Sequence, residues 1–210
     1  MTQLDLQNEI QRNQKIKQYV FGFSNAIRHV VSGVDNSTAF SESVAQIIET
    51  YNNGNKIVTT GMGKAGKVMQ KFSATLCSLN IPSCFLHPGE ASHGDLGIID
   101  MADTLFVAST SGKTREVIET IELSDKIGIN CIIGITSHVD SIVRKKADIT
   151  IDMGEIVEAG DLKLAPTTST IVMSAVTDAL ALVASEEIGL TKERFGHLHH
   201  GGYLGAKANE

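Results

Sequence analysis

Three hydroxyl side chains, Ser109, Ser111 and Thr114, lie within six residues of one another. A short apolar run at 104–108 precedes them, and apolar residues at helical spacing follow at 115–121. A loop between a buried strand and a helix presents unpaired backbone N–H groups at the positive end of the helix dipole. The segment therefore predicts a phosphate-binding site. The alternative is an ordinary helix cap, for which one hydroxyl would suffice.

The elements that would hold this loop alternate between strands and helices. Strands are predicted at 56–60, 83–86, 104–108, 131–135 and 148–152, and a long apolar helix is predicted at 168–188. This alternation is typical of a parallel sheet covered on both faces, with ligands at the carboxyl ends of its strands.

Two further helices are predicted before the first strand. The first, at about 8–31, is polar at its start and has a narrow apolar stripe, which is typical of an arm that packs on a partner subunit. The second is predicted to be capped by Asn36 or Ser37.

The composition and the N-terminal sequence argue against a nucleic-acid-binding, membrane or secreted protein. The 210 residues are 42% hydrophobic and carry a net charge of −6, which argues against a surface for nucleic acid or anionic membrane. The N-terminus has no secretory signal pattern, and we expect no membrane span and a cytoplasmic protein. Cys77, Cys84 and Cys131 form no Cys-x-x-Cys pair and are expected to be buried free thiols in a reducing compartment.

Residues 61–66 fit the pattern Gly-x-Gly-x-x-Gly, which occurs in dinucleotide-binding folds. That function needs an acidic residue near the end of the next strand, but Glu90 lies beyond a His-Pro-Gly break. Glycines that allow a helix to pack closely on a strand explain the loop without a nucleotide. A nicotinamide oxidoreductase is therefore a weak alternative.

Three more segments suggest a family: HPGEASHGDLG at 87–97, LAPTTST at 164–170 and HLHHGGYLG at 197–205. With the two loops above, their order resembles the sugar isomerase (SIS) domain, and within it the arabinose-5-phosphate isomerases, over about 56–207. The resemblance implies an α/β fold of three layers (α-β-α), with a five-stranded parallel, flavodoxin-like sheet and an N-terminal helical arm. It also implies no metal or cofactor, and a homodimer or homotetramer with active sites at subunit boundaries.

The same resemblance implies the site residues. Its catalytic positions fall on Lys64, His93, Glu116, Glu158 and His199. Glu158 would relay the proton, His199 would open the sugar ring, and Lys64 would supply positive charge. Substrate phosphate would bind Ser109, Ser111 and Thr114, with Thr168 and Ser169 nearby.

Each of these residues also has a plainer interpretation. Glu116 could be a first-turn acid that only complements the helix dipole, Glu158 could lie in a solvated loop, and Lys64 could be merely exposed. His197, His199 and His200 together could instead bind a metal.

Two residues depart from the family pattern and put the identity of the sugar in doubt. Lys113 stands where an acidic residue is expected, and His200 stands where proline is usual.

We expect one SIS domain over 1–210, with N-terminal helices at 1–52, a core at 56–190, an active-site tail at 191–210 and no CBS modules. The expected activity is isomerisation of D-arabinose 5-phosphate and D-ribulose 5-phosphate through an enediol. The alternatives are an isomerase of another pentose or hexose phosphate, and a non-catalytic sugar-phosphate sensor.

Overall fold

A single parallel sheet forms the centre of the protein. The computed structural model describes residues 3–199 and Lys207. Its strands are β1 Ile57–Gly61, β2 Ser83–Leu86, β3 Thr104–Ala108, β4 Cys131–Thr136 and β5 Ile149–Asp152. They lie in the order β2-β1-β3-β4-β5, and every neighbouring pair is parallel. The predicted fold class and all five predicted strands are confirmed, with ends that differ by at most one residue.

Helices cover both faces of the sheet. They are α1 Gln3–Val34, α2 Ala39–Asn52, α3 Gly63–Ser78, α4 Pro88–Ala91, α5 Arg115–Ile127, α6 Ile142–Lys146, α7 Thr168–Ile188 and α8 Lys192–Leu198. The cores on the two faces are separate: α1, α2, α3 and α7 pack on one, and α4, α5 and α6 on the other. Neighbouring strand residues alternate between these cores, as Ile57 and Val58 do, because strand side chains alternate in direction.

The order of the strands places a crevice between β1 and β3. After β1 the chain continues to β2, which pairs with one edge of β1, whereas β3 pairs with the other edge of β1. At such a switch point the loops after two adjacent strands diverge, and ligands of this fold class bind there. Gly61 ends β1 directly opposite Ala108, the last residue of β3. The two loops singled out from the sequence therefore begin side by side.

The helix α7 corrects the expectation that no segment could span a membrane. No segment was expected to be long and apolar enough to cross a membrane, yet α7 meets that criterion by length and composition. It packs against α1, α2 and α3, and residues such as Met173 and Ala181 are fully buried in the core. These contacts are those of a core helix, which must be apolar around most of its circumference.

The cysteines also differ in part from expectation. All three are free, but Cys77 is exposed, Cys84 is half-buried and Cys131 is buried. The expectation of three buried thiols is therefore wrong for Cys77. Burial raises the pKa of Cys84, and it raises the pKa of Cys131 to about 12.

The N-terminal helices leave apolar surface uncovered. The first half of α1 carries exposed Ile10, Ile16 and Val20. Its second half packs on α7, with Val30 in the core. The helix α2 begins at Ala39, and its N-cap is Thr38, whose side chain makes no cap bond, so the prediction of Asn36 or Ser37 as the capping residue is wrong. The Ser37 hydroxyl accepts from the Ala39 N–H, at 3.3 Å.

Candidate active site

The hydroxyl loop after β3 is closed by its own hydrogen bonds. Ser109, which is 3% exposed, has its Oγ 2.9 Å from Thr114 Oγ1 and accepts from the Gly112 N–H at 3.1 Å. Ser111 is exposed, and its Oγ accepts from the Lys113 N–H at 3.3 Å. Thr114 is the residue before α5, and its side chain makes no cap bond to that helix. The Ser109 and Thr114 hydroxyls thus meet at an uncapped helix N-terminus, and Ser111 is exposed in the same loop.

Gly112 lets this loop pack against the end of β4. A Cβ built on Gly112 would lie 2.1 Å from Ser141 Cβ, and the residue has a φ of +61°. Its carbonyl accepts from the Ile142 N–H at 3.1 Å, and the Thr110 carbonyl accepts from the Ser137 N–H at 3.0 Å. Only glycine fits both the conformation and the space. The loop is therefore held by the main chain and leaves Ser111 facing outward.

The loop after β1 is shaped by close packing. A Cβ on Gly66 would lie 2.2 Å from the Gly61 carbonyl oxygen, so α3 can approach β1 only with glycine at that position. Gly63 has a φ of +60°, a conformation that glycine adopts without strain. These contacts account for the glycine pattern by packing, as the sequence analysis proposed in place of a nucleotide site.

Lys64 lies in the first turn of α3 and is exposed. It lines a groove of about 460 Å³ together with Lys67 of α3 and Thr170 of α7. The groove thus joins the N-terminal ends of α3 and α7, which both start at the carboxyl edge of the sheet. A lysine here provides positive charge beside the crevice between β1 and β3.

Glu158 reaches the N-terminus of α7. Its Oε2 accepts from the backbone N–H groups of Thr167 at 2.8 Å, Thr168 at 2.8 Å and Ser169 at 3.4 Å. Its Oε1 accepts from the Ser169 hydroxyl. The Thr168 hydroxyl accepts from the Ala159 N–H at 3.1 Å, which ties the loop to the same turn. Glu158 is therefore anchored, unlike the solvated loop residue of the plainer interpretation, and it lies one helical turn from the Lys64 groove.

His93 and Glu116 meet in a second groove. This space of about 330 Å³ lies between the loop after β2 and the start of α5, and Arg115 also lines it. Gly89, on its wall, is next to Met62 of the β1 loop: a Cβ on Gly89 would lie 3.9 Å from Met62 Cε. The second groove therefore borders the β1 loop and is lined by residues that follow β2 and β3, the two neighbours of β1.

His199 lies far from these groups within one chain. Its Nε2 is 2.7 Å from the Ser78 hydroxyl, and its ring stacks on Phe195 with centroids 3.9 Å apart. Ser78 ends α3, fourteen residues after Lys64, which corresponds to about 21 Å along the helix axis. Within one subunit His199 therefore lies at the C-terminal end of α3, whereas Lys64 lies at its N-terminal end with Glu158 nearby.

The sequence predictions thus divide into three sets. Lys64, Glu158, Thr168 and Ser169 gather at α7 and α3; Ser109, Ser111 and Thr114 gather at α5; His93 and Glu116 share the second groove. His199 is apart, and His200 lies outside the described residues. Among residues 3–199 no group of three or more His, Cys, Asp or Glu side chains could hold a metal ion.

Arg115 lies beside the predicted site residues His93 and Glu116, although the sequence analysis did not single it out. A cation in the first turn of a helix is unfavourable with respect to the helix dipole, and two glutamates, Glu116 and Glu119, line the same groove as Arg115. Its place directly after the hydroxyl loop was the available signal. Arg115 is exposed, and it adds positive charge to the groove that holds His93 and Glu116.

Sequence comparison identifies relatives over most of the chain. The SIS domain model matches residues 50–183. "Arabinose 5-phosphate isomerase KdsD" of Pseudomonas aeruginosa is 42% identical over 152 residues, which are 72% of this chain and 46% of the relative. "Arabinose 5-phosphate isomerase KpsF" of Escherichia coli is 40% identical over 72% of this chain and 47% of its own. The chain spans about half the length of these curated relatives.

Solved structures agree with the fold. A "putative phosphosugar isomerase involved in capsule formation" from Bacteroides fragilis has a TM-score of 0.81 and 36% identity, covering 90% of this chain and 99% of that one. A protein of E. coli CFT073 in complex with arabinose 5-phosphate has a TM-score of 0.75 and 33% identity, covering 95% of this chain and all of that one.

Proposed function

The chain belongs to the SIS domain family, and from this premise we propose that it is an aldose–ketose isomerase that interconverts D-arabinose 5-phosphate and D-ribulose 5-phosphate. The observation that carries the proposal is the anchored Glu158 carboxylate, one turn from the groove that holds Lys64. Relatives named arabinose 5-phosphate isomerases, at 42% and 40% identity, support this choice of substrate. We further propose a cytoplasmic location.

Isomerisation moves one proton between adjacent carbons. From the aldose, a base takes the proton on C2, the C2–H electron pair forms the C1–C2 double bond, and the C1 carbonyl electron pair moves to O1 to give an enediolate. The proton on the C2 hydroxyl is transferred to O1, and the base returns its proton to C1 as C2 becomes the carbonyl carbon. Glu158 is the base in this proposal, because its carboxylate is fixed by three backbone N–H groups. Lys64 stabilises the negative charge that develops on the enediolate oxygen.

The phosphate binds, in this proposal, at the loop after β3. The uncapped first turn of α5 offers N–H groups, and Ser109, Ser111 and Thr114 surround it with hydroxyls. Arg115 and Lys113 add positive charge at its border. Neutral donors at a helix N-terminus together with cations bind a phosphate dianion without any metal ligand.

His199 acts in this proposal from a second copy of the chain. The distance along α3 excludes His199 from the site of its own subunit.

An apolar cavity of about 570 Å³ lies between α1, α2 and α7 and is lined by Val31, Val34 and Val183. These valines are exposed, as are Ile10, Ile16 and Val20 of α1. We propose that this surface packs on the second copy in a homodimer or homotetramer, because so large an apolar surface favours association.

Incubation of the purified chain with a panel of pentose and hexose 5- and 6-phosphates tests the activity. We expect turnover to be fastest with the arabinose and ribulose phosphates. Glu158→Gln should reduce kcat by at least about a hundredfold, since a positioned base contributes about that much or more. Glu155→Gln is the matched control: it changes an exposed glutamate of the same loop and should leave kcat unchanged. Equal activity of wild type and Glu158→Gln would contradict the proposal.

A further inference from the structure

The first turn of α7 is already occupied by a negative group of the protein itself. Glu158 Oε2 accepts hydrogen bonds from the N–H groups of Thr167, Thr168 and Ser169, and Oε1 accepts one from the Ser169 hydroxyl. Helix N–H donors that bind one anion are not free for another. A phosphate at this turn would have to displace the carboxylate or lie against it, and like charges in contact repel.

Ser169 is placed to control the orientation of that carboxylate. It is fully buried, so its hydroxyl has no bulk water as an alternative partner. The backbone donors all reach Oε2, and the hydroxyl alone among the described groups donates to Oε1. Two oxygens held by different donors fix the plane of the carboxylate as well as its position.

We propose that Ser169 is a positioning residue for Glu158 and that the N-terminus of α7 does not bind the substrate phosphate. This inference rests on the proposed function and deepens it, because it assigns the two helix N-termini different roles. The turn at α5 receives the phosphate, and the turn at α7 holds the base. The family resemblance implied that Ser169 and Thr168 bind the substrate phosphate, so the two assignments predict different kinetics.

Steady-state kinetics of Ser169→Ala separates these roles. We expect kcat to fall about tenfold to a hundredfold, which is the scale of one hydrogen bond to a charged group. KM and the inhibition constant of inorganic phosphate should stay within about twofold, because the interaction is not with phosphate. Ser185→Ala is the matched control: Ser185 is buried in the same helix, but its hydroxyl donates to the Leu182 carbonyl, far from the site. Ser169→Thr, which keeps the hydroxyl, should recover most of kcat.

A double-mutant cycle distinguishes positioning from a general structural effect. Once Glu158 is Gln, there is no carboxylate to orient, so adding Ser169→Ala should lower kcat no further. Additive losses in the double variant, or a higher KM and phosphate inhibition constant with unchanged kcat, would overturn the inference.

Failure of the proposed function is distinguishable from failure of this inference. If the wild type converts no sugar phosphate, the function fails, and binding of inorganic phosphate by calorimetry still tests the assignment. Ser169→Ala should then keep its phosphate affinity while Ser111→Ala loses it, and the melting temperatures of the Glu158 and Ser169 single and double variants should be non-additive. Loss of phosphate affinity in Ser169→Ala, or additive melting temperatures, would overturn the inference.

Discussion

The Glu158 carboxylate accepts a hydrogen bond from the backbone N–H of Thr168, the first residue of α7, at 2.8 Å. A side chain ten positions earlier in the chain thus caps the core helix α7. Because α7 is rigidly packed in the core, the position of Glu158 is set by the fold rather than by its own loop. A fixed carboxylate near the Lys64 groove is what the proposed proton transfer on a bound sugar requires.

Ser111→Ala tests the phosphate site. Ser111 is exposed at the uncapped turn before α5, so its hydroxyl can bind a ligand without breaking a buried hydrogen bond. We expect the affinity for sugar phosphate to fall about tenfold to a hundredfold with kcat nearly unchanged. Calorimetric titration and steady-state kinetics measure the two quantities. Ser32→Ala, on the exposed surface of α1, should change neither, and unchanged affinity in Ser111→Ala would contradict the site.

Gly66→Ala tests whether the glycine pattern after β1 serves packing. The added methyl would lie 2.2 Å from the Gly61 carbonyl oxygen, which is main chain and cannot rotate away. We expect the free energy of unfolding to fall by about 1–3 kcal/mol, measured by urea denaturation. Gly22→Ala is the control, because nothing lies within 4 Å of its Cβ, and it should be neutral or stabilising by about 0.5–1 kcal/mol. A stable Gly66→Ala protein would contradict the packing explanation.

Mixing two inactive variants tests whether His199 acts from a second copy. His199→Ala and Glu158→Gln each damage a different half of a shared site, so a mixed dimer has one intact site and one doubly damaged site. After dissociation and reassociation of an equal mixture, we expect about a quarter of the wild-type activity, because half of the dimers are mixed. Glu158→Gln treated in the same way alone should stay inactive. No recovery in the mixture would place His199 outside the site.

The Cys131 thiol gives the stability a dependence on alkaline pH. Burial raises the pKa of Cys131 to about 12, from an ordinary value of 9.0. Between these values the unfolded chain loses the thiol proton while the folded chain keeps it, so the stabilisation present below pH 9.0 is lost as the pH rises. Urea unfolding at about pH 8 and about pH 10.5 should show that Cys131→Ala loses less stability than the wild type over this interval. The exposed Cys77→Ala is the control, and parallel losses in Cys131→Ala and wild type would contradict the prediction.

The strand pattern and α7 could be predicted because their signal is local. Short runs such as 104–108 are apolar after their first residue, and the predominantly apolar segment at 168–188 is long enough for a helix. Such runs bury on both faces of a parallel sheet or in the core, and hydrophobicity alone identifies them. The close approach of Gly66 to Gly61 was also expected, because spaced glycines after a strand have few other structural uses.

The partners of the site residues could not be predicted, since they depend on distances across the fold. Nothing in the sequence indicates that Ser169 donates to Glu158 or that His199 lies against Ser78. The first pair required the path of the loop at 153–167, and the second required the position of α8 beside the C-terminal end of α3. Sequence motifs proposed the candidate residues, and the fold determined which of them meet within one chain.

Proton NMR of ribulose 5-phosphate incubated with the protein in D₂O tests the central claim most directly. A base that exchanges its proton with solvent incorporates deuterium at C2 as the aldose forms. We predict new arabinose 5-phosphate signals that lack the C2 proton, abolished in Glu158→Gln and retained in Glu155→Gln. If wild-type protein that binds the sugar phosphate leaves its spectrum unchanged, or if Glu158→Gln converts it at the same rate, the account of Glu158 as the base of an isomerase is wrong.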